Sequence, residues 1–282
     1  MALNELFLQP LQYEFMRMAF LTALTVGVTA SVLSVIVVLR GWSLLGDAIS
    51  HSVLPGLATA AALNLPLTIG GAAAGITASL LIGIVESRTR VRNDTAIGIV
   101  LTGTFALGLV IISKYRPTVD IFHILFGNVL AVSYEDFATT VLLSAGVVAV
   151  FAAFLKEIVS YTFDPIFSYV AGLPSNIIHL GLMVMISLTV ISALQTVGII
   201  LVISLLVTPG ATAQLFAKNL RQMFAVSMTM GVASAVIGLY LSFYFAVSSG
   251  GTIALTATAF FFAATVLKKL FGSVQQVRPA SQ

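Results

Sequence analysis

The chain is 282 residues long, and its composition is that of a protein whose surface faces lipid. Apolar residues make up 59% of it and charged residues 8%, with a mean hydropathy of +1.09, whereas a soluble domain carries about 25% charged residues. This excludes a water-soluble globular protein, and the net charge of +3 indicates membrane topology rather than nucleic acid binding. Because the chain has no cysteine, disulfides, thiolate metal ligands and iron–sulfur clusters are excluded as well.

Apolar runs long enough to cross a bilayer follow one another along the chain, since about 20 apolar residues span the hydrocarbon as a helix. Nine candidate spans result, near 16–38, 44–65, 69–85, 95–113, 137–155, 177–194, 196–216, 223–247 and 252–267. Asp47, His51 and Pro55 interrupt the second, and Pro209 and Gly210 interrupt the seventh, so one of these two is expected to be broken or re-entrant. We therefore predict an all-α polytopic membrane protein with eight to nine transmembrane helices in a single domain over 1–282.

The basic residues predict how the helices cross the membrane. With the N-terminus outside, ten Lys and Arg lie on the cytoplasmic side and three lie outside, so the positive-inside rule favours a cytoplasmic C-terminus. The tail over about 270–282 is predicted to be mobile. The outer connection 114–136 contains an apolar stretch from Ile121 to Val132, which is too short to span and is expected to form a re-entrant or surface helix.

Two ionisable residues, Asp47 and His51, are predicted inside the membrane, where such a group costs roughly 2.5–3.5 kcal/mol on insertion scales. Their i, i+4 spacing places both side chains on one helix face, and a carboxylate oxygen with an imidazole nitrogen suits manganese, zinc or iron(II). Two alternatives stay open: the residues pair with each other, or they cap the broken helix near the interface, since Arg40 lies only seven residues earlier. His123 and His179 are predicted to be structural residues outside the membrane.

Two ligands do not hold a metal ion firmly, because zinc and manganese usually take about four or more. A two-fold dimer would supply Asp47 and His51 from each copy, and this is the commonest oligomer geometry. Small residues follow the pair and would let two such helices approach closely. These small residues are Ser52, Gly56, Ala58 and Ala60.

Four stretches resemble landmarks of one transporter family. They are VLRGWSLLGDAISHSVLPGLA (Val38 to Ala58), NDTAIGI (Asn93 to Ile99), DIFHILFGNVLAV (Asp120 to Val132) and QTVGIILVISLLVTPGATA (Gln195 to Ala213). In this order they resemble the permeases of manganese/zinc/iron ABC transporters over nearly the whole chain, and FHILFGN is most similar to manganese-importing members. The resemblance implies a fold like that of the cobalamin importers. It also implies that the protein lies in a bacterial cell membrane. It also implies that Asp47 and His51 coordinate the passing ion, without a permanently bound cofactor.

The same resemblance implies partners and the elements that serve them. The partners are a second permease (a homodimer or a pseudodimer), cytoplasmic ATP-binding subunits and an extracellular solute-binding protein. FDPIFSYVAGLP, within about 160–175, matches the family's coupling element. Such an element is a short helix bounded by chain breakers, and it would dock in a cleft of an ATPase subunit. The alternative is a helix that lies on the lipid headgroups. The residues assigned to the coupling element are Phe163, Asp164, Pro165, Phe167, Val170, Gly172, Leu173 and Pro174, with Ile166 and Ala171 on the apolar face. A gate near the last span would fall on Ser248, Ser249, Gly250 and Gly251.

These features predict the permease subunit of a primary-active importer of a divalent transition metal. Carboxylate ligation without cysteine favours manganese, with zinc and iron(II) as alternatives. An ion-coupled secondary transporter fits less well because such carriers usually bury several acids on different helices. An intramembrane metalloenzyme fits less well because two ligands without a base or nucleophile make a poor active site. No Walker A sequence is present, so ATP hydrolysis is assigned to partner subunits.

Overall fold

The computed structural model describes residues 9–89, 91–115 and 132–271, and all regular structure in these ranges is helical. A short 3-10 helix, Pro10–Gln12, precedes the α-helices. These are α1 (Glu14–Arg40), α2 (Leu45–Ser52), α3 (Leu54–Ala62), α4 (Leu67–Arg88), α5 (Asn93–Tyr115), α6 (Tyr134–Ala153), α7 (Leu155–Phe163), α8 (Pro165–Val170), α9 (Ser175–Val197), α10 (Ile199–Phe216), α11 (Leu220–Phe245) and α12 (Ser249–Phe271). Eight of them are long and apolar enough to cross a membrane, which confirms the predicted all-α polytopic class. The short helix predicted near 121–132 and the tail from 272 onward fall outside the described residues, apart from residue 132.

The second predicted span is the broken one. It consists of α2 and α3, with only Val53 between them, and its 18 residues rise about 27 Å in total, close to the hydrocarbon thickness of about 30 Å. Pro55 accounts for the break, because it has no N–H to give to the carbonyl of His51 four residues earlier. The helical pattern resumes where the Leu57 N–H bonds the Val53 carbonyl at 3.0 Å. The break therefore follows directly after the Asp47–His51 turn.

The seventh predicted span is continuous although Pro209 lies inside α10. A proline within a helix disturbs the hydrogen bonds of its neighbours. Ser34 on α1 bonds the backbone on both sides of the proline: its hydroxyl accepts the Gly210 N–H at 2.8 Å and donates to the Val207 carbonyl at 3.3 Å. A side chain of a neighbouring helix thus satisfies backbone groups that lipid cannot, and α10 crosses without a break.

Basic side chains collect at one end of the helix bundle, which we call the basic end. α1 ends there at Arg40, where Gly41 adopts φ 70° and the Trp42 N–H bonds the Val37 carbonyl at 2.8 Å, a common way to end a helix. Other basic residues at this end are Arg88, Lys156, Lys218, Arg221, Lys268 and Lys269. Arg17 and Lys114 lie toward the other end. The charge asymmetry expected from the sequence is present in the described part of the chain.

α3 and α4 meet backbone to backbone at Gly56 and Gly70. A Cβ atom built on Gly56 would overlap the Gly70 carbonyl oxygen, and one built on Gly70 would overlap the carbonyl oxygen of Gly56. Neither position has room for any side chain. This contact fixes α3, the half of the broken span farther from the basic end, against α4.

The contact also corrects an expectation about the small residues that follow Asp47 and His51. They were expected to face a second copy, but Gly56 and Ala60 pack on α4 of the same chain. Ala58 is buried, and the Ser52 hydroxyl lies 2.6 Å from that of Thr104 on α5. Close approach of helices does occur here, within one chain.

Gly56→Ala is expected to destabilise the protein, because the added methyl group forces apart two backbones in direct contact. Overpacking of this kind costs typically about 1–3 kcal/mol. Thermal unfolding of the purified protein in detergent measures the effect. Gly98→Ala is the matched control, because a Cβ atom at Gly98 on α5 meets nothing within 4 Å. Equal unfolding temperatures for the two variants would contradict the tight contact.

Candidate metal site

α2 is a short helix with one buried face and one open face. Its buried residues include Leu45, Ala48, Ile49 and Ser52. Asp47 and His51 lie on the open face, and their side chains keep 39% and 38% of their surface exposed. The helix therefore presents both predicted ligands to the space beside the bundle and anchors itself through the opposite face.

Asp47 Oδ1 and His51 Nε2 lie 3.4 Å apart, so the structure brings the two predicted ligands together. Two atoms that each lie about 2.1 Å from one metal ion are separated by roughly 3.0–3.4 Å when the angle at the metal is between about 90° and 109°. The observed separation falls within that range. At the same distance the two side chains form an ion pair with each other when the imidazole is protonated, which is the alternative to metal binding. The N-cap residue of α2, Leu44, makes no side-chain cap bond, and the described hydrogen bonds do not show Asp47 or His51 capping the helix.

His51 is held against α5. The ring of Phe105 meets the imidazole edge to face, with centroids 5.7 Å apart and an interplanar angle of 88°. On the same turn, the hydroxyls of Ser52 and Thr104 are 2.6 Å apart. These two contacts fix the end of α2 on α5, so the position of the imidazole depends on both helices.

The ligand set is incomplete within the described residues, where no group of three or more His, Cys, Asp or Glu side chains could hold a metal ion. Metal ions of this kind take about four or more ligands. The open face of α2 leaves room for further ligands from a second copy of the chain or from water. Asp47 and His51 alone therefore do not complete a metal site within the described residues.

A cavity of about 500 Å³ continues along α3 toward the end away from the basic end. Pro55 and Thr59 line it, and they follow Asp47 and His51 at steps of four residues on one helix stripe. Thr77 and Thr104 also line it from α4 and α5. The cavity thus begins at Ser52, the residue after His51, and has several hydroxyl groups in its wall.

A short helix at the basic end presents apolar side chains to solvent. α8 begins at Asp164, whose Oδ1 accepts the Phe167 N–H at 2.8 Å, and Gly172 adopts φ 82° just beyond its end. Ile166 and Val170 are 77% and 78% exposed. Phe163, Phe167 and Tyr169 are also exposed. An apolar patch of this kind on a projecting helix marks an interaction surface.

The segment Ser248 to Gly251 does not form a separate short helix. Ser249, Gly250 and Gly251 belong to the first turn of α12, and the Ser248 hydroxyl lies 3.5 Å from the Gly251 N–H. Gly250 packs near the carbonyl of Val197, where α9 gives way to α10. The gate implied by the family resemblance therefore falls on a helix start at the end away from the basic end, and its role stays a prediction.

Five side chains at the basic end form a polar cluster that sequence reasoning did not find. We call it the basic-end cluster: Arg40, Trp42, Glu86, Tyr161 and His179. His179 was predicted to be a structural residue outside the membrane, and it is nearly fully buried in the first turns of α9. The Glu86 side chain, in the last turn of α4, is only 10% exposed. The position of the only tryptophan, two residues after Arg40, was the signal that could have pointed to the cluster.

Eight long apolar helices, a broken span that carries an open Asp–His pair, and an exposed apolar helix at the basic end define a polytopic membrane transport protein. Residues 12–268 match the ABC 3 transport family, and the chain belongs to that family. The manganese transport system membrane protein MntC of Listeria monocytogenes is 46% identical over 260 residues, which are 92% of this chain and 93% of that protein. The chelated iron transport system membrane protein YfeD of Yersinia pestis is 38% identical over 258 residues, which are 92% and 87% of the two chains.

The fold is also similar to that of a solved structure, PsaBC from Streptococcus pneumoniae in complex with Fab. The two chains superpose with a TM-score of 0.80 at 38% sequence identity, over 94% of this chain and 98% of that chain. The similarity therefore extends over nearly the whole length of both proteins.

Asp47→Ala and His51→Ala are each expected to weaken manganese binding by the purified protein by at least about tenfold, because even the loss of an outer-shell partner of a metal ligand costs about 10–100-fold. Isothermal titration calorimetry with Mn²⁺ measures the affinity. Asp94→Ala removes an exposed carboxylate from the start of α5 and serves as the control, with no change expected. Wild-type affinity in both site variants would show that the ion binds elsewhere.

Proposed function

We infer that the chain is the membrane-spanning permease of an ABC importer that moves a divalent transition metal ion, manganese foremost, into a bacterial cell. The observation that carries this inference is the Asp47–His51 pair, 3.4 Å apart on the open face of a broken span. One oxygen and one nitrogen ligand suit manganese, iron(II) and zinc. The relatives named for manganese and for chelated iron support the same class of cargo. Iron(II) and zinc remain the alternative ions.

The ion would be held between two copies of the permease. Asp47 and His51 from each copy together supply four side chains, the number that Zn²⁺ usually takes. The open face of α2 supports this arrangement, because both ligands face away from their own bundle. Because Gly56 packs within its own chain, the small residues after His51 do not support a dimer. The main support for the dimer is the incomplete ligand set.

ATP-binding subunits would dock on α8. The exposed Ile166, Phe167 and Val170 supply an apolar contact, and the Asp164 cap keeps the short helix folded where it projects from the bundle. ATP binding and hydrolysis on those subunits would drive the permease between outward-facing and inward-facing states. This chain then has no ATPase site of its own.

The basic end would face the cytoplasm. Two independent features support this orientation: the excess of Lys and Arg at that end, and the position of α8 at the same end, where cytoplasmic ATP-binding subunits would meet it. An extracellular solute-binding protein would then deliver the ion at the opposite end, where the cleft along α3 runs and where Ser248 to Gly251 begin α12. The C-terminus would be cytoplasmic.

Reconstitution of the permease with its ATP-binding subunits tests this function. Proteoliposomes are expected to accumulate ⁵⁴Mn in the presence of ATP and the solute-binding protein, and to accumulate little without ATP. Uptake that needs no ATP and follows a proton or sodium gradient would instead identify an ion-coupled secondary transporter.

The double variant Phe167→Asp/Val170→Asp tests whether α8 is the docking element. Two charges placed in an apolar contact should prevent the ATP-binding subunits from co-purifying and should abolish uptake, while the membrane helices stay folded. Tyr134→Asp alters a similarly exposed residue, 76% accessible, at the other end of the bundle, and should leave co-purification intact. Normal assembly and uptake by the double variant would place the docking element elsewhere.

A further inference from the structure

The basic-end cluster joins four separate parts of the chain through short contacts. Arg40 Nη2 donates to the Tyr161 hydroxyl at 3.1 Å, and the guanidinium lies 4.7 Å from the Tyr161 ring and 5.2 Å from the Trp42 ring. Trp42 Nε1–H donates to Glu86 Oε1 at 3.2 Å, and Arg40 lies 3.9 Å from the same oxygen. α1, α4, α7 and the loop before α2 therefore meet at one point.

The hydrogen bonds in the cluster run in one direction. An arginine can only donate, so the Tyr161 oxygen accepts from Arg40. The Gly83 carbonyl can only accept, so His179 donates from Nε2, and the Nδ1 of a neutral imidazole then accepts the Tyr161 hydrogen, 2.9 Å away. Burial raises the pKa of the Tyr161 hydroxyl, although the Arg40 charge acts against this shift, and the hydroxyl keeps its hydrogen at neutral pH. His179 Nε2 then carries the ring hydrogen and donates to the Gly83 carbonyl at 3.2 Å.

The cluster connects to the docking helix on one side. Tyr161 follows Ser160 on α7, and the Ser160 hydroxyl lies 2.9 Å from that of Ser168 on α8. Ser168 is fully buried although most of α8 is exposed. α8 is therefore attached to α7 one residue away from Tyr161.

The cluster connects to the metal-binding helix on the other side. Trp42 is fully buried, and its carbonyl accepts the N–H of Leu45, the first residue of α2, at 2.9 Å. Asp47 lies in that first turn. The Glu86–Trp42 hydrogen bond thus helps to set where α2 begins and where its ligands stand.

Two charged atoms in the cluster lack hydrogen-bond partners. Glu86 Oε2 and Arg40 Nε are buried and unsatisfied, which is costly for charged groups. A second acceptor for His179 lies within reach, because its Nε2 is 3.8 Å from Glu86 Oε2 and 3.2 Å from the Gly83 carbonyl. A small movement of α9 or α4 would transfer the His179 N–H from Gly83 to Glu86. Such a transfer would give the cluster a second arrangement, as a switching element requires.

We propose that Glu86, Tyr161 and His179 are positioning residues that transmit movement of the docking helix α8 to the metal-binding helix α2. When the ATP-binding subunits move α8, Tyr161 moves with α7, and the His179 N–H passes from Gly83 to Glu86. Glu86 then alters its hold on Trp42, which displaces the start of α2 and the Asp47–His51 pair. The proposal rests on the proposed function and adds to it the route by which ATP hydrolysis reaches the ion.

The test compares ions transported with ATP hydrolysed by the complete complex in proteoliposomes. Tyr161→Phe keeps the ring and removes both hydrogen bonds of the hydroxyl, and Glu86→Gln keeps the shape and removes the charge. Both variants are expected to assemble with the ATP-binding subunits and to hydrolyse ATP. The number of Mn²⁺ ions moved per ATP should fall by at least about fivefold, the lower end of the range for coupled sites.

Tyr240→Phe is the matched control, because Tyr240 lies on α11 and packs against Phe20 rather than on the cluster; its ratio should equal that of the wild type. An unchanged ratio in both cluster variants would overturn the proposal while leaving the transport function in place. Failure of both to assemble would assign the cluster a purely structural role and also overturn it. Absence of ATP-dependent uptake by the wild type would instead remove the proposed function on which the proposal rests.

Discussion

A helix in lipid has to satisfy its own backbone hydrogen bonds, and this constraint decides where the chain can break. At Pro209 the hydroxyl of Ser34 bonds the neighbouring Gly210 N–H and Val207 carbonyl, and α10 stays whole. At Pro55 the span divides into α2 and α3 instead. The division leaves a helix of eight residues that packs through one face and carries Asp47 and His51 on the other. The candidate metal site exists because the backbone is interrupted beside it.

α2 has only eight residues, and its buried face packs on α4, α5, α9 and α10. α2 is held at its end by Phe105 and Thr104 on α5 and at its start by the loop through Trp42. The second attachment belongs to the same cluster that reaches α8 through Tyr161 and Ser160. The part of the chain that would bind the ion and the part that would meet the ATP-binding subunits are thus connected at the basic end, while α3 is fixed on α4 by the Gly56–Gly70 contact.

Much of the fold could be predicted because hydrocarbon thickness sets the length of apolar runs, and all eight long helices coincide with predicted spans. Pro55 and Pro209 marked two candidates for the broken span, and the sequence did not decide between them. The i, i+4 spacing of Asp47 and His51 was sufficient to bring them together. Gly56 was misassigned because a small residue shows that a helix approaches closely, but not which helix. Glu86 and His179 were missed because a charge at the end of an apolar run gives the same pattern whether it is solvated or buried. The identity of the ion and the partners depend on family resemblance, since composition and spacing do not determine them.

The central claim is that Asp47 and His51 hold the transported ion, and anomalous diffraction at the manganese edge tests it most directly. Crystals of the assembled complex would be saturated with Mn²⁺. We expect one anomalous peak between two copies of the chain, within about 2.0–2.3 Å of the Asp47 carboxylate and the His51 Nε2 of each. The opposite result is a manganese peak more than about 4 Å from both side chains, which is too far for a metal–ligand bond. If Asp47 and His51 are ordered in those crystals and no ion lies between them, that peak would contradict their role as ligands.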